Sequence, residues 1–216
     1  MYKSFAKNKK YAFVALSGPQ SPVYRSSNDG YSWEITSFPY SLDSSPIGFA
    51  ANDSCLFLSD GSERKMWRSC DNGNSWIEID FPSVWFPSSL VTDKNIIYSY
   101  ADNNDNIFYL SSNNGDSWVS ILQRQSSGSS SPIMMSLDVK DDFIFIPRLY
   151  IFWGSSGIVN VTYYFSSDGG KNWYKANFPE FKTPAYQSYI YKDYVFIIVE
   201  DINESNIRKL YRTKKK

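Results

Sequence analysis

The chain has 216 residues, of which 22 are basic and 22 are acidic, so its formal net charge is zero. Its length fits one domain, and its aromatic content of 18% favours strands over a helical bundle. The balanced charge gives no electrostatic footprint for nucleic acid. The absence of histidine removes the commonest general base and metal ligand, and no apolar run is long enough for a membrane span.

An eight-residue phrase occurs four times, at 26–33, 69–76, 111–118 and 166–173. Its form is Ser-x-Asp/Asn-x-Gly-x-Ser/Asn-Trp, and each copy follows an apolar or aromatic stretch. The central Asn, Asp and Gly favour a tight hairpin turn with positive φ, and Trp can bury its ring beneath the turn with its N–H bonded. The defining residues are Ser26, Asn28, Gly30 and Trp33; Ser69, Asp71, Gly73 and Trp76; Ser111, Asn113, Gly115 and Trp118; and Ser166, Asp168, Gly170 and Trp173.

This phrase resembles the Asp box, or BNR repeat, of sialidases, sortilin-type receptors and other β-propellers; we call it the box. Three copies depart from the family pattern, because Asn28 and Asn113 replace the Asp and Asn172 replaces the hydroxyl residue. In that family the box joins the third and fourth strands of a blade, opposite the usual ligand face. The resemblance therefore implies a structural role for Asp71 and Asp168. A calcium site is the alternative, but an Asp-x-Asp-x-Asp loop with a closing Glu is missing, so neither metal nor cofactor is expected.

Successive box tryptophans are 43, 42 and 55 residues apart, which is the period of a four-stranded antiparallel sheet. Phe38, Phe81 and Phe178 each precede a proline at one repeated position, and Arg25, Arg68 and Arg212 share another. The sequence predicts an all-β fold: a β-propeller of about five blades, with a three-stranded last blade, in a single domain covering 1–216. The expected units are 2–39, 46–82, 85–123, 132–179 and 184–216.

The second unit contains Cys55 and Cys70, which fall on the two arms of one predicted hairpin about Gly61. A disulfide between them is an alternative, but two free, half-buried thiols are favoured.

The fourth unit carries a Ser/Gly-rich loop at 123–131, whose composition favours flexibility, and then a long aromatic hairpin. Tyr150, Phe152 and Trp153 lie near the tip of this hairpin. They are candidate binding residues, because an exposed aromatic tip suits a partner contact. A long strand pair packed on its neighbours is the equal alternative.

The fifth unit has three predicted strands, at 185–191, 194–199 and 207–212, and no fourth strand or box follows. An open edge of this kind is a docking site for a protein partner or a second copy. Basic residues cluster here, and we expect a solvated tail rather than a phosphate-binding patch.

Catalytic candidates are few. The sialidase resemblance would imply an Arg-Ile-Pro motif and three convergent arginines, but the motif is absent and Arg25, Arg68 and Arg212 repeat one structural position. A glycosidase needs only two carboxyl groups. The candidate carboxylates, in the loops between second and third strands, are Asp60, Glu63, Asp102, Asp105, Asp201 and Glu204, of which Asp102 and Asp105 are also candidate binding residues.

The expected function is a non-enzymatic binding or assembly module that takes a protein or glycan partner, such as a phage tail, virion or receptor-binding protein. A sialidase-like glycoside hydrolase is the alternative. The start of the chain resembles a signal peptide only faintly and aligns with a first strand, so a virion is the one location suggested.

Overall fold

The computed structural model describes residues 3–16, 22–38, 46–60, 65–83, 87–101, 107–122, 132–134, 137–151, 159–178, 185–200 and 208–215. Their regular structure consists of twenty β-strands in five antiparallel sheets, which confirms the all-β prediction. Within these ranges, no helix is long and apolar enough to cross a membrane.

The first three sheets each contain four strands in chain order. Sheet one has β1 (Lys3–Lys7), β2 (Ala12–Leu16), β3 (Val23–Ser26) and β4 (Glu34–Ile35). Sheet two has β5 (Pro46–Ala51), β6 (Leu56–Asp60), β7 (Lys65–Ser69) and β8 (Ile77–Ile79). Sheet three has β9 (Pro87–Asp93), β10 (Ile96–Ala101), β11 (Ile107–Ser111) and β12 (Val119–Leu122).

Sheet four begins with two short strands, β13 (Pro132–Met134) and β14 (Asp138–Lys140), which pair with successive parts of β15 (Phe143–Ile151). Together they take the place of a first strand. The sheet continues through β16 (Val159–Ser166) to β17 (Tyr174–Lys175). Sheet five has three strands: β18 (Ala185–Tyr191), β19 (Tyr194–Glu200) and β20 (Arg208–Lys214). The prediction of a three-stranded last unit is therefore confirmed.

Alternating side chains explain why these segments form strands. In β2, Phe13 and Ala15 are fully buried while their neighbours are half-buried, as the two faces of a pleated strand require. Hairpins between first and second strands turn through residues with positive φ, such as Lys94 at 53° and Lys192 at 50°. This left-handed geometry matches the twist of the flanking strands.

The chain divides into two compact units: Met1–Asp102 with Ile107–Ser120, and Asn103–Asn106 with Ile121–Lys216. The first unit contains two apolar clusters, one around Phe13 and Trp67 and the other around Phe57 and Ile97. The second unit contains a third cluster around Phe145 and Ile197. The assignment of one domain to 1–216 stays a prediction.

Cys55 and Cys70 form a disulfide, with their Cα atoms 4.0 Å apart. The interpretation of two free thiols is therefore wrong. The reason is strand register: Leu56 pairs with Ser69 across β6 and β7, so the next residues outward on both strands also face each other.

Candidate functional site

Each box forms the turn between the third and fourth strands of its sheet, and its first serine organises the turn. The Ser26 hydroxyl accepts the Gly30 N–H at 2.9 Å, and the Ser69 hydroxyl accepts the Gly73 N–H at 2.8 Å. The third and fourth boxes make the same bond at 2.8 Å. These four serines are buried, so their hydroxyls satisfy backbone groups that water does not reach.

The side chain at the third box position joins both ends of the turn. One oxygen of Asp71 accepts the Ser69 hydroxyl at 2.8 Å and the Ser75 N–H at 2.8 Å. In the fourth box, Asp168 accepts the hydroxyl of Ser166 at 2.7 Å and the N–H of Asn172 at 2.9 Å. Bonds from Asn172 and then Ser166 lower the pKa of Asp168 to about 2. Burial acts in the opposite direction on Asp71, but hydrogen bonds from Ser75 and Ser69 lower its pKa overall.

The box glycines have positive φ, from 87° to 94°, and those of the second, third and fourth boxes pack against the sheet that precedes their own. A Cβ atom at Gly73 would lie 2.6 Å from Thr36, and one at Gly115 would lie 2.6 Å from Ile79. Within the second unit, a Cβ atom at Gly170 would lie 2.9 Å from Ile121. Each of these contacting residues is the third after a box tryptophan, so in sheets one, two and three the same position, in the fourth strand or directly after it, receives the next box.

In the first compact unit, the arginine at the repeated position stabilises the same contact between neighbouring sheets. The Arg25 guanidinium donates to the Asn72 carbonyl and to Oδ1 of Asn74, both at 2.8 Å. The Arg68 guanidinium donates to the Asn114 carbonyl and to Oδ1 of Asp116, both at 2.6 Å. Arg25 and Arg68 are therefore structural, and each ties a third strand to the box of the following sheet.

The Phe of each Phe-Pro pair adds an aromatic contact at the same junctions. The Phe38 ring meets the Trp76 ring edge-to-face at 5.0 Å, and the Phe81 ring meets the Trp118 ring at 5.2 Å. Trp33 is 40% exposed, so the expected burial of the tryptophan is wrong for the first box. The Trp76 N–H has no partner among the described residues, which corrects the expectation that the tryptophan N–H is bonded.

A cavity of about 180 Å³ lies between sheets four and five, within the second unit. We call it the edge cavity. Aromatic side chains line its sheet-four side, including Phe143, Phe165 and Tyr174, together with Ala176. On the sheet-five side it is lined by Val195, by Thr213 and Lys214 at the end of β20, and by Lys215 directly after it. It is therefore an apolar recess with a cationic border.

Within the described residues, β20 pairs with β19 alone. Val195 pairs with Thr213 as Ala12 pairs with Ser26 in sheet one, so Thr213 stands at the first position of a box, and Lys215 stands where the other boxes have Asp or Asn. Arg212 lies over the Tyr194 ring at 5.1 Å, as Arg25 lies over the Tyr11 ring at 5.3 Å. Among the residues that the structure describes, the third strand of sheet five thus repeats the sheet-one arrangement, and no fourth strand pairs with it.

The candidate binding residues are placed only in part. Tyr150 belongs to β15, where its backbone pairs with Pro132 and Asn160. Phe152, Trp153, Asp102 and Asp105 lie outside the described residues, as do the candidate carboxylates Glu63, Asp201 and Glu204. Of that carboxylate set, Asp60 is described, and it is 4% exposed.

Sequence reasoning missed Asp138, a half-buried residue of β14. Burial raises its pKa to about 6, although a hydrogen bond from the Ser188 hydroxyl acts in the opposite direction. A short strand after a Ser-rich segment carries no sequence signal for such a shift. In the part of the chain that the structure describes, no cluster of His, Cys, Asp and Glu could hold a metal ion.

No protein-family model matches this sequence, and no curated protein matches it. Solved structures with similar folds include YCF48 bound to D1 peptide, with 14% identity and a TM-score of 0.62 over 96% of this chain and 66% of that chain. A chain of the nidogen/laminin complex has 14% identity and a TM-score of 0.63, covering 96% and 81% of the two chains. A GH74 xyloglucanase from Xanthomonas campestris has 15% identity and a TM-score of 0.66, covering 98% and 36%.

The fold is a β-propeller. Its blades are the five sheets described above, the last of them three-stranded. The chain spans about two thirds of the YCF48 chain and about one third of the xyloglucanase chain.

Proposed function

We propose that this propeller is a non-enzymatic module that binds a protein partner through the open edge of β20. The single observation that carries the proposal is the three-stranded fifth sheet. Its third strand, β20, pairs with β19 in the same register in which β3 pairs with β2 in sheet one, where a fourth strand lies beside β3. An exposed strand edge offers backbone donors and acceptors to an incoming strand. Two similar structures, YCF48 bound to D1 peptide and the nidogen/laminin complex, contain a peptide or protein partner, which agrees with a binding role.

The proposal also covers the kind of assembly in which this module acts. A small propeller that docks through one blade suits the role of a phage tail or virion component. Its receptor would be a protein or a glycan. We also propose that the four turns are Asp boxes in the family sense, because their hydrogen bonds connect the serine, acidic or amide, and glycine positions that define the family pattern.

One residue of β20 allows a specific test of strand pairing at the open edge. In sheets one and four, the Val23 and Tyr163 carbonyls accept hydrogen bonds, at 2.9 and 2.8 Å, from the N–H groups of the residues directly after β4 and β17. Leu210 is the equivalent residue of β20 by register, so its N–H and carbonyl point away from β19. Proline at this position removes an outward N–H without removing a bond to β19.

The first prediction uses this position. A displayed library of random peptides is selected on the wild-type chain, and the enriched peptides are measured against Leu210→Pro and its control Leu210→Ala. We expect binding to the wild type and to Leu210→Ala, loss of at least about tenfold in affinity for Leu210→Pro, and hydrogen-exchange protection of β20. Equal binding to both variants, or no enriched peptide, would overturn edge pairing.

A glycoside hydrolase is the second candidate, and Asp138 is the observation that favours it. A carboxyl group with a pKa of about 6 suits a general acid, and two proteins of similar fold are GH74 enzymes. Hydrolysis of xyloglucan and of sialyl-lactose by the wild type, abolished in Asp138→Asn, would replace the binding proposal with this one.

A further inference from the structure

The edge cavity occupies the place that a box turn fills at the other junctions. Ala176 is the third residue after Trp173, the position at which Thr36 and Ile79 contact the glycine of the following box. Thr213, at the first box position of sheet five, lines the opposite wall. The cavity therefore lies between the two sequence positions that meet at a box junction, and in chain order it follows the other junctions.

The size and lining of the edge cavity suit one aromatic ring. Its volume is about 180 Å³, and an apolar cavity of about 150 Å³ accepts benzene. At the first two junctions a phenylalanine holds the tryptophan of the incoming strand. Phe178 stands at that position in sheet four, and its ring packs at 6.0 Å on Phe145, which lines the cavity.

The strand beside the cavity is strongly cationic. Five of the eight residues from 208 to 215 are Arg or Lys. β19 carries one acidic residue, Glu200, which lies opposite Arg208 at the far end. Lys175, Lys214 and Lys215 border the cavity itself, and the Lys215 ammonium lies 5.0 Å from the Phe143 ring centre. A segment that approaches this edge meets positive charge along its length, which favours acidic side chains.

We propose that the edge cavity and β20 together bind an acidic, extended segment of a partner protein that places one aromatic side chain in the cavity. This inference rests on the proposed edge pairing and adds the chemistry of the partner. The segment takes the place of a fourth strand. It runs antiparallel to β20, as β4 and β17 run antiparallel to the third strands of their own sheets. Its aromatic residue lies against Ala176 and Phe143, and its carboxylates face the lysines.

The test uses a surrogate fourth strand from this protein. The probe is a fluorescein-labelled peptide with the sequence of residues 73–80, Gly-Asn-Ser-Trp-Ile-Glu-Ile-Asp, which contains one tryptophan and two acidic residues. Fluorescence anisotropy measures its affinity for the full chain. We expect saturable binding that weakens with rising salt and that weakens about tenfold or more when the peptide Trp is replaced by Ala.

Two variants of the protein address the cavity and the charge separately. Ala176→Ile fills the cavity with the side chain that sheets two and three already have at this position, so the fold is expected to tolerate it. Lys214→Glu with Lys215→Glu reverses the border charge. Each should weaken the probe about tenfold or more. The matched control, Lys7→Glu with Lys171→Glu, reverses two exposed lysines elsewhere and should leave the affinity unchanged.

The outcomes separate this inference from edge pairing. If a peptide with Lys in place of its acidic residues binds equally well, and Leu210→Pro still abolishes binding, edge pairing stands and the acidic partner is wrong. If Ala176→Ile binds the probe like the wild type, the aromatic anchor is wrong. If the probe does not bind up to its solubility limit, the inference is overturned, while the library selection still decides edge pairing.

Discussion

At the scale of single residues, the third box position accepts Asp or Asn because the serine hydroxyl four residues later can either donate or accept a hydrogen bond. Asn28 and Asn113 donate through Nδ2 to the hydroxyls of Ser32 and Ser117, at 2.8 and 2.9 Å. In the second box the direction is reversed, and the Ser75 hydroxyl donates to Asp71 at 2.6 Å. A serine hydroxyl can donate or accept, so the departures from the family pattern preserve the turn.

The second prediction tests this adaptability. We expect Asp71→Asn to change the free energy of unfolding by less than about 0.5 kcal/mol, because Ser75 can rotate its hydroxyl and accept. Asp71→Ala leaves the Ser69 hydroxyl and Ser75 N–H without their acceptor and should cost about 1–3 kcal/mol. Urea denaturation followed by tryptophan fluorescence measures both variants. Equal losses would contradict the role of the acceptor oxygen.

At the scale of the elements, the box does more than close a hairpin. Its outer residues receive the arginine of the preceding third strand and the phenylalanine that follows the preceding fourth strand. The Arg68 side chain is 15% exposed, whereas its partner Asp116 is 62% exposed. The bond from Arg68 to the Asn114 carbonyl is partly buried, so we attribute the strength of this junction to the carbonyl rather than to the ion pair.

The third prediction separates these two contributions. Arg68→Ala should lower the free energy of unfolding by about 2 kcal/mol, because it removes a charged donor from a partly buried carbonyl. Asp116→Asn removes only an exposed charge and should cost less than about 1 kcal/mol. Urea denaturation of both variants gives the comparison. A larger loss for Asp116→Asn would show that the ion pair dominates.

At the scale of the whole molecule, two carboxyl groups give opposite dependences of stability on pH. Asp168 has a lowered pKa of about 2, so its contribution is present above its unfolded pKa and is lost as the pH falls towards 2. Asp138 has a pKa raised to about 6, so its contribution is present below its unfolded pKa and is lost as the pH rises to 6. Together these groups favour maximal stability near pH 4.

The fourth prediction concerns this pH profile. Between pH 4 and 6 the wild type should lose up to about 3 kcal/mol through Asp138, from a shift of roughly two pKa units. Asp138→Asn keeps an acceptor for Ser188 without the charge, so it should remove this loss. Melting temperatures from pH 3 to 7 measure the effect. A wild-type profile that rises from pH 4 to 6 would contradict the assignment.

Repetition made much of the fold predictable. The box spacing predicted the sheets in order, and the Arg and Phe-Pro positions marked residues that the structure brings to one kind of junction. The disulfide was not predictable in the same way, because whether Cys55 meets Cys70 depends on register. The pKa of Asp138 depends on burial and on Ser188, which is 50 residues away in sequence.

The sequence by itself determined the all-β class, the four turns and the three-stranded fifth sheet, because turn chemistry and alternation are local properties of consecutive residues. Only the tertiary structure decided which residues receive each box, and that Ala176, Phe143 and the end of β20 line one recess, the edge cavity. Contacts between sheets join residues far apart in sequence, and their geometry depends on packing that no local pattern encodes.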